Sequence, residues 1–408
     1  MARKKNEVSE QVIRVDGEIK RRKNVYYEKV SYRYRVFAFL MVLSLALLAG
    51  ALMIIYGEHI TYDNFVYLIR DLDSVKESSG GFTEVSFTAD ESSVVRPFRD
   101  GFVVIGNGEV TLYDKTGVVL CSEKEKLSYP HGASSDKYVL VYDIGGTSYS
   151  VYSSVTRVIK KTSEAPIISA SVSNNGSYIV TAESGDAKYV TEVYDSSFKR
   201  TMSIYKDKYV IDSAIGKEGE TFVIASVAEQ GAEFFAEVSF YKEGNDSPIK
   251  TYTYSMSMPV TVSSYDGGSF SVLFDDCIRF YDENGNVKKE NYVSDAKVAF
   301  FDARPTGAVL VSSSLGINQG NVFTSFDKDG KEITTARVDG KVTGVFATLN
   351  NSTAGYVLTG DGKVLSVSTD GKAVSVATDK NIRSVMDTPS GPVAMTLTKA
   401  YLLKGKTE

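Results

Sequence analysis

The stretch FDKDG, Phe326–Gly330, lies between two runs of apolar and β-branched residues, and related stretches recur along the C-terminal part of the chain. The others are YDKTG (Tyr113–Gly117), YSSVT (Tyr152–Thr156), YDSSF (Tyr194–Phe198), FYKEG (Phe240–Gly244), YDENG (Tyr281–Gly285) and VSTDG (Val367–Gly371). An Asp side chain caps such a turn, and Gly adopts the positive φ that closes it. Each stretch therefore predicts a hairpin between the last two strands of a repeated unit.

The spacing of these hairpins indicates the architecture. They begin at residues 113, 152, 194, 240, 281, 326 and 367, so one unit measures 39 to 46 residues. That is the length of one four-stranded propeller blade, and blades must stack into a ring because one alone cannot bury both faces. Inner strands are expected near residues 94, 129, 167, 209, 259, 297, 342 and 382. The pattern predicts an all-β, eight-bladed β-propeller, with seven blades as the alternative.

The closure of the ring can also be predicted. The last unit has three expected strands, whereas the segment FTEVSF, Phe82–Phe87, precedes the first unit and belongs to none. We expect this segment to complete the last blade, because joining the two ends of the chain removes the open edges of the ring. Two stacked β-sandwiches would fit the strand-rich composition, but they would not produce a sustained period.

The hairpins at this period resemble those of WD40-like and quinoprotein-like propellers. The chain contains no Trp, so it lacks both the Trp-Asp endings of true WD40 repeats and the Trp docking motif of quinoprotein repeats. The whole layout also resembles an uncharacterised, membrane-anchored family of Gram-positive bacteria that is known as a domain of unknown function. That resemblance implies a fold and a location, and it implies no activity.

The charge is distributed unevenly along the 408 residues. Residues 1–35 hold 11 Lys/Arg against 5 Asp/Glu, residues 36–57 hold no charge, and the remainder is strongly acidic within a total net charge of −5. The 21 apolar residues Val36–Tyr56 are long enough to span a bilayer. The basic residues precede the span and Arg70 alone follows it closely, so the positive-inside rule predicts a cytoplasmic N-terminus. A cleaved signal peptide ending near Ala49–Ala51 is the alternative.

These observations predict four segments: a cytoplasmic basic tail at 1–35, a transmembrane helix at 36–56, a juxtamembrane helix and linker at 57–81, and an extracytoplasmic propeller at 82–408. The lipid bilayer is the expected partner of residues 36–56. The basic tail is interpreted as topogenic charge that also attracts anionic lipid, and no nucleic-acid partner is expected.

Few residues are available for catalysis. The chain has two His and two Cys, and it contains neither a nucleophile elbow nor a phosphate-binding loop, so no catalytic residue, metal or cofactor is predicted. His131 is expected to be structural, and Cys121 and Cys277 are expected in opposite blades, too far apart for a disulfide. If the protein is an enzyme, two carboxylate pairs are the candidate catalytic residues: Asp275 with Asp276, and Glu229 with Glu233.

Loops on a rigid ring are the usual binding elements of propellers. The longest expected loops between middle strands are Ala228–Ala232 and Ser314–Gly320. They supply the candidate partner-binding residues Glu229, Gln230, Ser314, Asn318 and Gln319. The predicted function is a non-enzymatic scaffold at the cell envelope that binds an envelope protein or a wall polymer. The alternatives are an envelope glycan hydrolase or lyase that uses channel carboxylates, and a transmembrane sensor.

Overall fold

The structure is a computed structural model, and it describes residues 13–15, 18–20, 25–56, 82, 84–87, 89–231, 233–293, 296–314, 320–348, 352–388 and 391–403. The chain divides into two units, Met1–Phe65 and Val66–Glu408. The predicted juxtamembrane helix and linker at 57–81 lie outside the described residues.

The first unit contains one long helix, α1 (Val25–Tyr56), and a short antiparallel hairpin, β1 (Ile13–Val15) with β2 (Glu18–Lys20). The helix begins 11 residues before the predicted span, because no Gly or Pro interrupts the sequence between Val25 and Arg35. Its segment Lys29–Leu48 is long and apolar enough to cross a membrane and is not buried against any other part of the described chain. The hairpin was not predicted.

The second unit contains eight antiparallel sheets of four strands each, in which each sheet is one blade. Blades 1 to 4 consist of β4 (Val94–Phe98), β5 (Gly101–Ile105), β6 (Glu109–Tyr113), β7 (Val119–Lys124); β8 (Pro130–Ser134), β9 (Val139–Asp143), β10 (Ser148–Tyr152), β11 (Arg157–Thr162); β12 (Ile167–Val172), β13 (Tyr178–Glu183), β14 (Tyr189–Tyr194), β15 (Arg200–Lys206); and β16 (Tyr209–Ile215), β17 (Thr221–Gln230), β18 (Glu233–Lys242), β19 (Lys250–Ser255).

Blades 5 to 8 follow in the same way. They consist of β20 (Pro259–Ser264), β21 (Phe270–Phe274), β22 (Cys277–Tyr281), β23 (Val287–Tyr292); β24 (Ala296–Arg304), β25 (Gly307–Ser314), β26 (Asn321–Asp327), β27 (Glu332–Val338); β28 (Val342–Ala347), β29 (Thr353–Thr359), β30 (Lys363–Ser368), β31 (Ala373–Thr378); and β32 (Ser384–Thr388), β33 (Gly391–Met395), β34 (Lys399–Leu402) with β3 (Val85–Ser86). The eight-bladed prediction is confirmed.

The closing strand pairs as expected. β3 lies beside β34, with Val85 opposite Ala400 and Ser86 opposite Lys399. Strand β3 is therefore the outer strand of blade 8, although it precedes blade 1 in the sequence. Phe82 and Val85 also pack with Phe102 and Tyr113 of blade 1, so the same segment closes the ring covalently and through its core.

The hydrophobic core is divided among the contacts between neighbouring blades. Alternate residues of a strand point to opposite faces of its sheet, so Val103 and Ile105 pack against blade 2 while Phe102 and Val104 pack against blade 8. Eight such clusters are present in the described residues, one between each pair of blades. Cys121 lies in blade 1 and Cys277 in blade 5, and both are buried free thiols.

The repeated hairpins have the predicted geometry. In blade 6, Asp327 Oδ1 accepts hydrogen bonds from the backbone N–H groups of Asp329 (2.9 Å) and Lys331 (2.8 Å), while Gly330 closes the turn at φ 82°. Blade 3 has no Gly at this position, and Phe198 takes the left-handed conformation at φ 61°. Packing of Phe198 into the core between blades 2 and 3 offsets that strain.

The antiparallel order gives the ring two distinct faces. We use "hairpin face" for the end of the strands that carries the repeated hairpins, for example residues 195–199, and the turns after the inner strands, for example residues 173–177. We use "link face" for the opposite end. It carries the loops between second and third strands, for example residues 184–188, and the links from one blade to the next, for example residues 207–208.

Candidate functional site

The predicted loop Ala228–Ala232 lies on the link face, as do the two described ends, Ser314 and Gly320, of the second predicted loop. The prediction of a long loop at Ala228–Ala232 is wrong, because β17 continues to Gln230 and β18 begins at Glu233. The alternating side chains of an extended hairpin were mistaken for an insertion. Glu229 is exposed near its tip, opposite Phe234, and Gln230 is opposite Glu233. Ser314 is the last residue of β25, whereas Asn318 and Gln319 lie outside the described residues.

The link face also carries a set of exposed apolar side chains along four consecutive blades, 2 to 5. We call it the tyrosine–methionine surface, and it consists of Tyr129, Ile144, Tyr205, Tyr209, Met256, Met258, Val260 and Tyr292. Every strongly exposed Tyr and Met of the described propeller belongs to it. The other exposed large apolar residues of the propeller are Val and Ile on outer strands or beside them. Exposed aromatic and Met side chains gathered on one face are typical of a binding surface.

One part of this surface, the link Met256–Met258 between blades 4 and 5, is held rigidly. The backbone N–H of Met258 donates to Asp275 Oδ1 at 2.8 Å, and the Ser257 hydroxyl donates to Asp276 Oδ1 at 2.6 Å. Met256 adopts φ 57°, a left-handed conformation that costs free energy for a residue with a side chain. Its side chain is nevertheless 63% exposed. The strained backbone therefore holds the Met256 side chain in solvent and does not place it in the core.

Arg279 supports the same link from below. Its guanidinium carbon lies 4.0 Å from the ring centre of Tyr254 and 4.4 Å from that of Phe274, and its Nη1 donates to Ser257 Oγ at 3.4 Å. Arg279 is buried and pairs with Glu290 at 3.3 Å. Burial alone would lower the pKa of Arg279, but the Cys277 thiol and nearby tyrosine hydroxyls, Tyr292 first among them, raise it above its ordinary value. The charged side chain thus packs beneath the Met256–Met258 link and restrains it.

A second part of the surface lies between blades 3 and 4. Tyr209 is 51% exposed, and the Lys188 ammonium lies 3.7 Å from its ring centre. The Tyr189 ring contacts Tyr209 edge-on at 6.5 Å. A ring fixed by a cation on one side and an aromatic edge on another loses little entropy when a partner covers it.

The central channel is the second candidate region. A cavity of about 400 Å³ is lined by residues from the inner strands of all eight blades or the turns that follow them, together with Tyr142 of β9. It extends to the hairpin face, where Lys217 and Asp136 follow the inner strands of blades 4 and 2.

Side chains on the channel wall connect neighbouring blades. Asp212 Oδ2 accepts hydrogen bonds from the backbone N–H of Val262 (2.9 Å) and the hydroxyl of Thr261 (2.8 Å), which joins blade 4 to blade 5. Asp302 Oδ2 accepts the N–H of Ala347 at 2.8 Å and joins blade 6 to blade 7 in the same way. Burial raises the pKa of Asp212, and these hydrogen bonds oppose the rise.

The basic groups of the channel have fewer partners. Arg96 Nε donates to the carbonyl of Gly132 at 3.2 Å, and Arg304 Nε lies 3.6 Å from Asp302. Lys217 is only 6% exposed, and burial lowers its pKa. His131 lies on the inner strand β8 as predicted, and burial together with the charge of Arg96 lowers its pKa to about 4, so it is neutral at pH 7.

The sequence pointed to Asp275 with Asp276, and the structure places these residues where they fix the Met256–Met258 link. It missed the tyrosine–methionine surface and the basic channel residues. The position of these residues could have indicated the surface. Tyr209, Met258 and Val260 lie at or beside the start of inner strands, where an apolar side chain is exposed at the strand end. Among the described residues no group of three or more His, Cys, Asp or Glu is arranged to hold a metal ion.

A family model matches residues 80–400, which is the propeller. The chain belongs to the family of unknown function DUF5711. Comparison with curated proteins gave no match. Two solved structures similar to this DUF5711 propeller are BamB from Moraxella catarrhalis, with 13% identity and a TM-score of 0.54, and the C-terminal WD40 domain of Sif2, with 12% identity and a TM-score of 0.52. Each match covers 78% of this chain and 98% of the other. At such identities the likeness shows the fold alone.

Proposed function

We propose that this DUF5711 chain is a single-pass membrane protein whose propeller binds another envelope protein outside the cytoplasm through the tyrosine–methionine surface. The anchor is supported by α1, whose apolar segment Lys29–Leu48 is not buried in the described structure, and by the basic residues that precede the predicted span. This layout resembles that of the anchored Gram-positive family. A signal sequence is the competing interpretation of the same helix.

The observation that carries the binding proposal is the Met256–Met258 link. Two carboxylates and one buried Arg hold a strained backbone there, and the side chains that result point into solvent. Backbone strain persists only where the surrounding structure enforces it, and it concentrates at functional positions. Met adapts its shape to a partner, and Tyr supplies large contact area at small entropic cost.

The chemistry of this surface favours a protein partner over a wall polymer. Apolar Met, Ile and Val side chains are suited to apolar partner side chains that fill pockets between them. A polyanionic polymer would instead require several exposed basic groups at the centre of the surface. The enzyme hypothesis gains no support from Asp275 and Asp276, since both accept hydrogen bonds from the link that they stabilise. The sensor hypothesis stays a prediction.

Cross-linking of the full-length chain in intact cells tests the binding proposal. We expect a discrete cross-linked species for the wild type and its loss in the double variant Tyr209→Ser, Met258→Ser. The matched control is Ile333→Ser, Val374→Ser, which removes two exposed apolar side chains from outer strands. Equal cross-linking in both double variants would contradict the proposal.

Protease treatment of spheroplasts tests the anchor separately. The proposal predicts that the protein of 44.6 kDa stays in the membrane pellet after alkaline extraction and that external protease removes the propeller. A shortened, soluble chain that begins after Ala51 would show a cleaved signal sequence instead.

A further inference from the structure

Among the described residues, the central channel is lined by four basic side chains, Arg96, Arg99, Lys217 and Arg304, and by four carboxylates, Asp136, Asp212, Asp302 and Asp387. Three carboxylates of the wall accept hydrogen bonds: Asp212 accepts from Ser213, Thr261 and Val262, Asp302 accepts from Ala347, and Asp387 Oδ1 accepts from Tyr356. Asp302 also attracts the cations beside it, since its Oδ2 lies 3.6 Å from Arg304 Nε and its charge acts on Arg96.

Three of the basic side chains are left with free donors. The ammonium of Lys217 has three N–H donors and makes no hydrogen bond or ion pair within the described residues, although the residue is only 6% exposed. Arg304 contacts Asp302 through Nε, and Arg96 contacts Gly132 through Nε, which leaves the terminal nitrogens of both guanidinium groups available. A buried ammonium without a partner is costly unless an anion accompanies it.

These three cations belong to one region. All of them line the same cavity of about 400 Å³, and the charge of Arg304 acts electrostatically on both Arg96 and Lys217. The acidic groups at the mouth, Asp136 and Asp266, are exposed to solvent and reach Lys217 only through long-range attraction. The cavity has a volume typical of small-molecule sites.

We propose that the channel binds a small oxyanion-bearing ligand, whose phosphate or carboxylate oxygens accept hydrogen bonds from Lys217, Arg304 and Arg96. Charge-assisted bonds from two guanidinium groups and an ammonium are well suited to such oxygens. The ligand enters from the hairpin face, so this site is separate from the tyrosine–methionine surface and does not depend on the proposed partner binding.

Calorimetric titration of the full chain in detergent tests this site, with inorganic phosphate and acetate as separate probes at constant ionic strength. At least one probe is expected to bind the wild type. The variant Lys217→Met keeps the length of the side chain and removes its charge, and it should weaken binding about tenfold or more, the effect of one lost charge-assisted bond. Lys217→Arg should retain most of the affinity.

The matched control is Lys372→Met, which removes an exposed Lys that pairs with Asp370 on the hairpin face at 2.8 Å. It should bind like the wild type. Near-UV circular dichroism checks that each variant is folded. Absence of binding by both probes up to about 50 mM, below any useful affinity, would overturn the proposal, and so would equal binding by folded Lys217→Met. If the wild type binds phosphate and not acetate, or acetate and not phosphate, and Lys217→Met weakens that binding, the proposal is supported and the oxyanion that the site accepts is identified.

Discussion

The backbone N–H of Met258 donates a 2.8 Å hydrogen bond to the carboxylate of Asp275. This bond ties the link between blades 4 and 5 to the loop between β21 and β22, so an acidic side chain that resembles a catalytic group at first sight instead fixes an exposed methionine. The neighbouring bond from Ser257 to Asp276 repeats the arrangement. Rigid presentation of an apolar side chain lowers the entropic cost of binding.

Replacing Asp275 with Ala should loosen this link without unfolding the ring. Loss of one hydrogen bond to a charged group is expected to cost about 2 kcal/mol. Hydrogen exchange should increase at the amide of Met258 in particular, and in-cell cross-linking should weaken. Asp370→Ala, an exposed carboxylate on the hairpin face, is the control and should change neither readout. Unchanged exchange at Met258 would show that Asp275 does not hold the link.

Two residues with positive φ should respond oppositely to Gly. Met256→Gly relieves backbone strain and removes an exposed side chain, so it should raise the free energy of unfolding by up to about 1 kcal/mol while weakening cross-linking. Phe198→Gly relieves similar strain but removes a ring packed at 6.2 Å from Tyr138 and 6.3 Å from Tyr178, so it should destabilise. Chemical unfolding measures both. Destabilisation by Met256→Gly would indicate that Met256 contributes to packing.

Glu125 should make the propeller sensitive to acid. It is 3% exposed, and it accepts hydrogen bonds from Ser150 (2.7 Å), Tyr152 (2.8 Å) and Arg157 (3.1 Å) of blade 2. Burial alone would raise its pKa, but hydrogen bonds from Lys160, Ser150 and Tyr152, together with the charge of Lys160, hold the pKa below the ordinary value of 4.5. The stabilisation is therefore present above pH 4.5 and is lost as the pH falls through the lowered pKa.

Unfolding experiments on Glu125→Gln measure this contribution. The variant should be less stable than the wild type by about 2 kcal/mol at pH 7, where the carboxylate is charged. The difference should shrink as the pH is lowered towards 3, because the wild-type carboxylate also becomes protonated. A difference that does not change with pH would mean that the carboxylate charge does not contribute.

Lys217→Met should stabilise the ligand-free protein at pH 7, because Lys217 is only 6% exposed, its ammonium makes no hydrogen bond or ion pair within the described residues, and burial lowers its pKa. A gain of about 1 to 3 kcal/mol is expected, which raises the unfolding temperature by a few degrees in a domain of this size. Added phosphate should reduce the difference in unfolding temperature between the variant and the wild type, because it stabilises only the wild type. A lower unfolding temperature for Lys217→Met would contradict the absence of a partner for Lys217.

The repeated hairpins and the ring closure could be predicted because they depend on local chemistry. Asp327 with Gly330 is a turn signal within five residues, and the segment Phe82–Phe87, which belongs to no repeated unit, was expected to pair with the last blade, as Val85 does. Strand ends were harder: the continuation of β17 to Gln230 depends on pairing with β18 across the hairpin. The channel cations could not be predicted, because Arg96, Lys217 and Arg304 meet only after eight blades close.

Site-specific photo-cross-linking tests the central claim, that the tyrosine–methionine surface binds a protein partner. A photoreactive residue is placed at Met258 on the link face or at Val374, which is 59% exposed on an outer strand, in the full-length protein in living cells. The account predicts one protein adduct from position 258, lost when Tyr209 is also changed to Ser, and no adduct from position 374. The same adducts from both positions, or none from position 258, would contradict it.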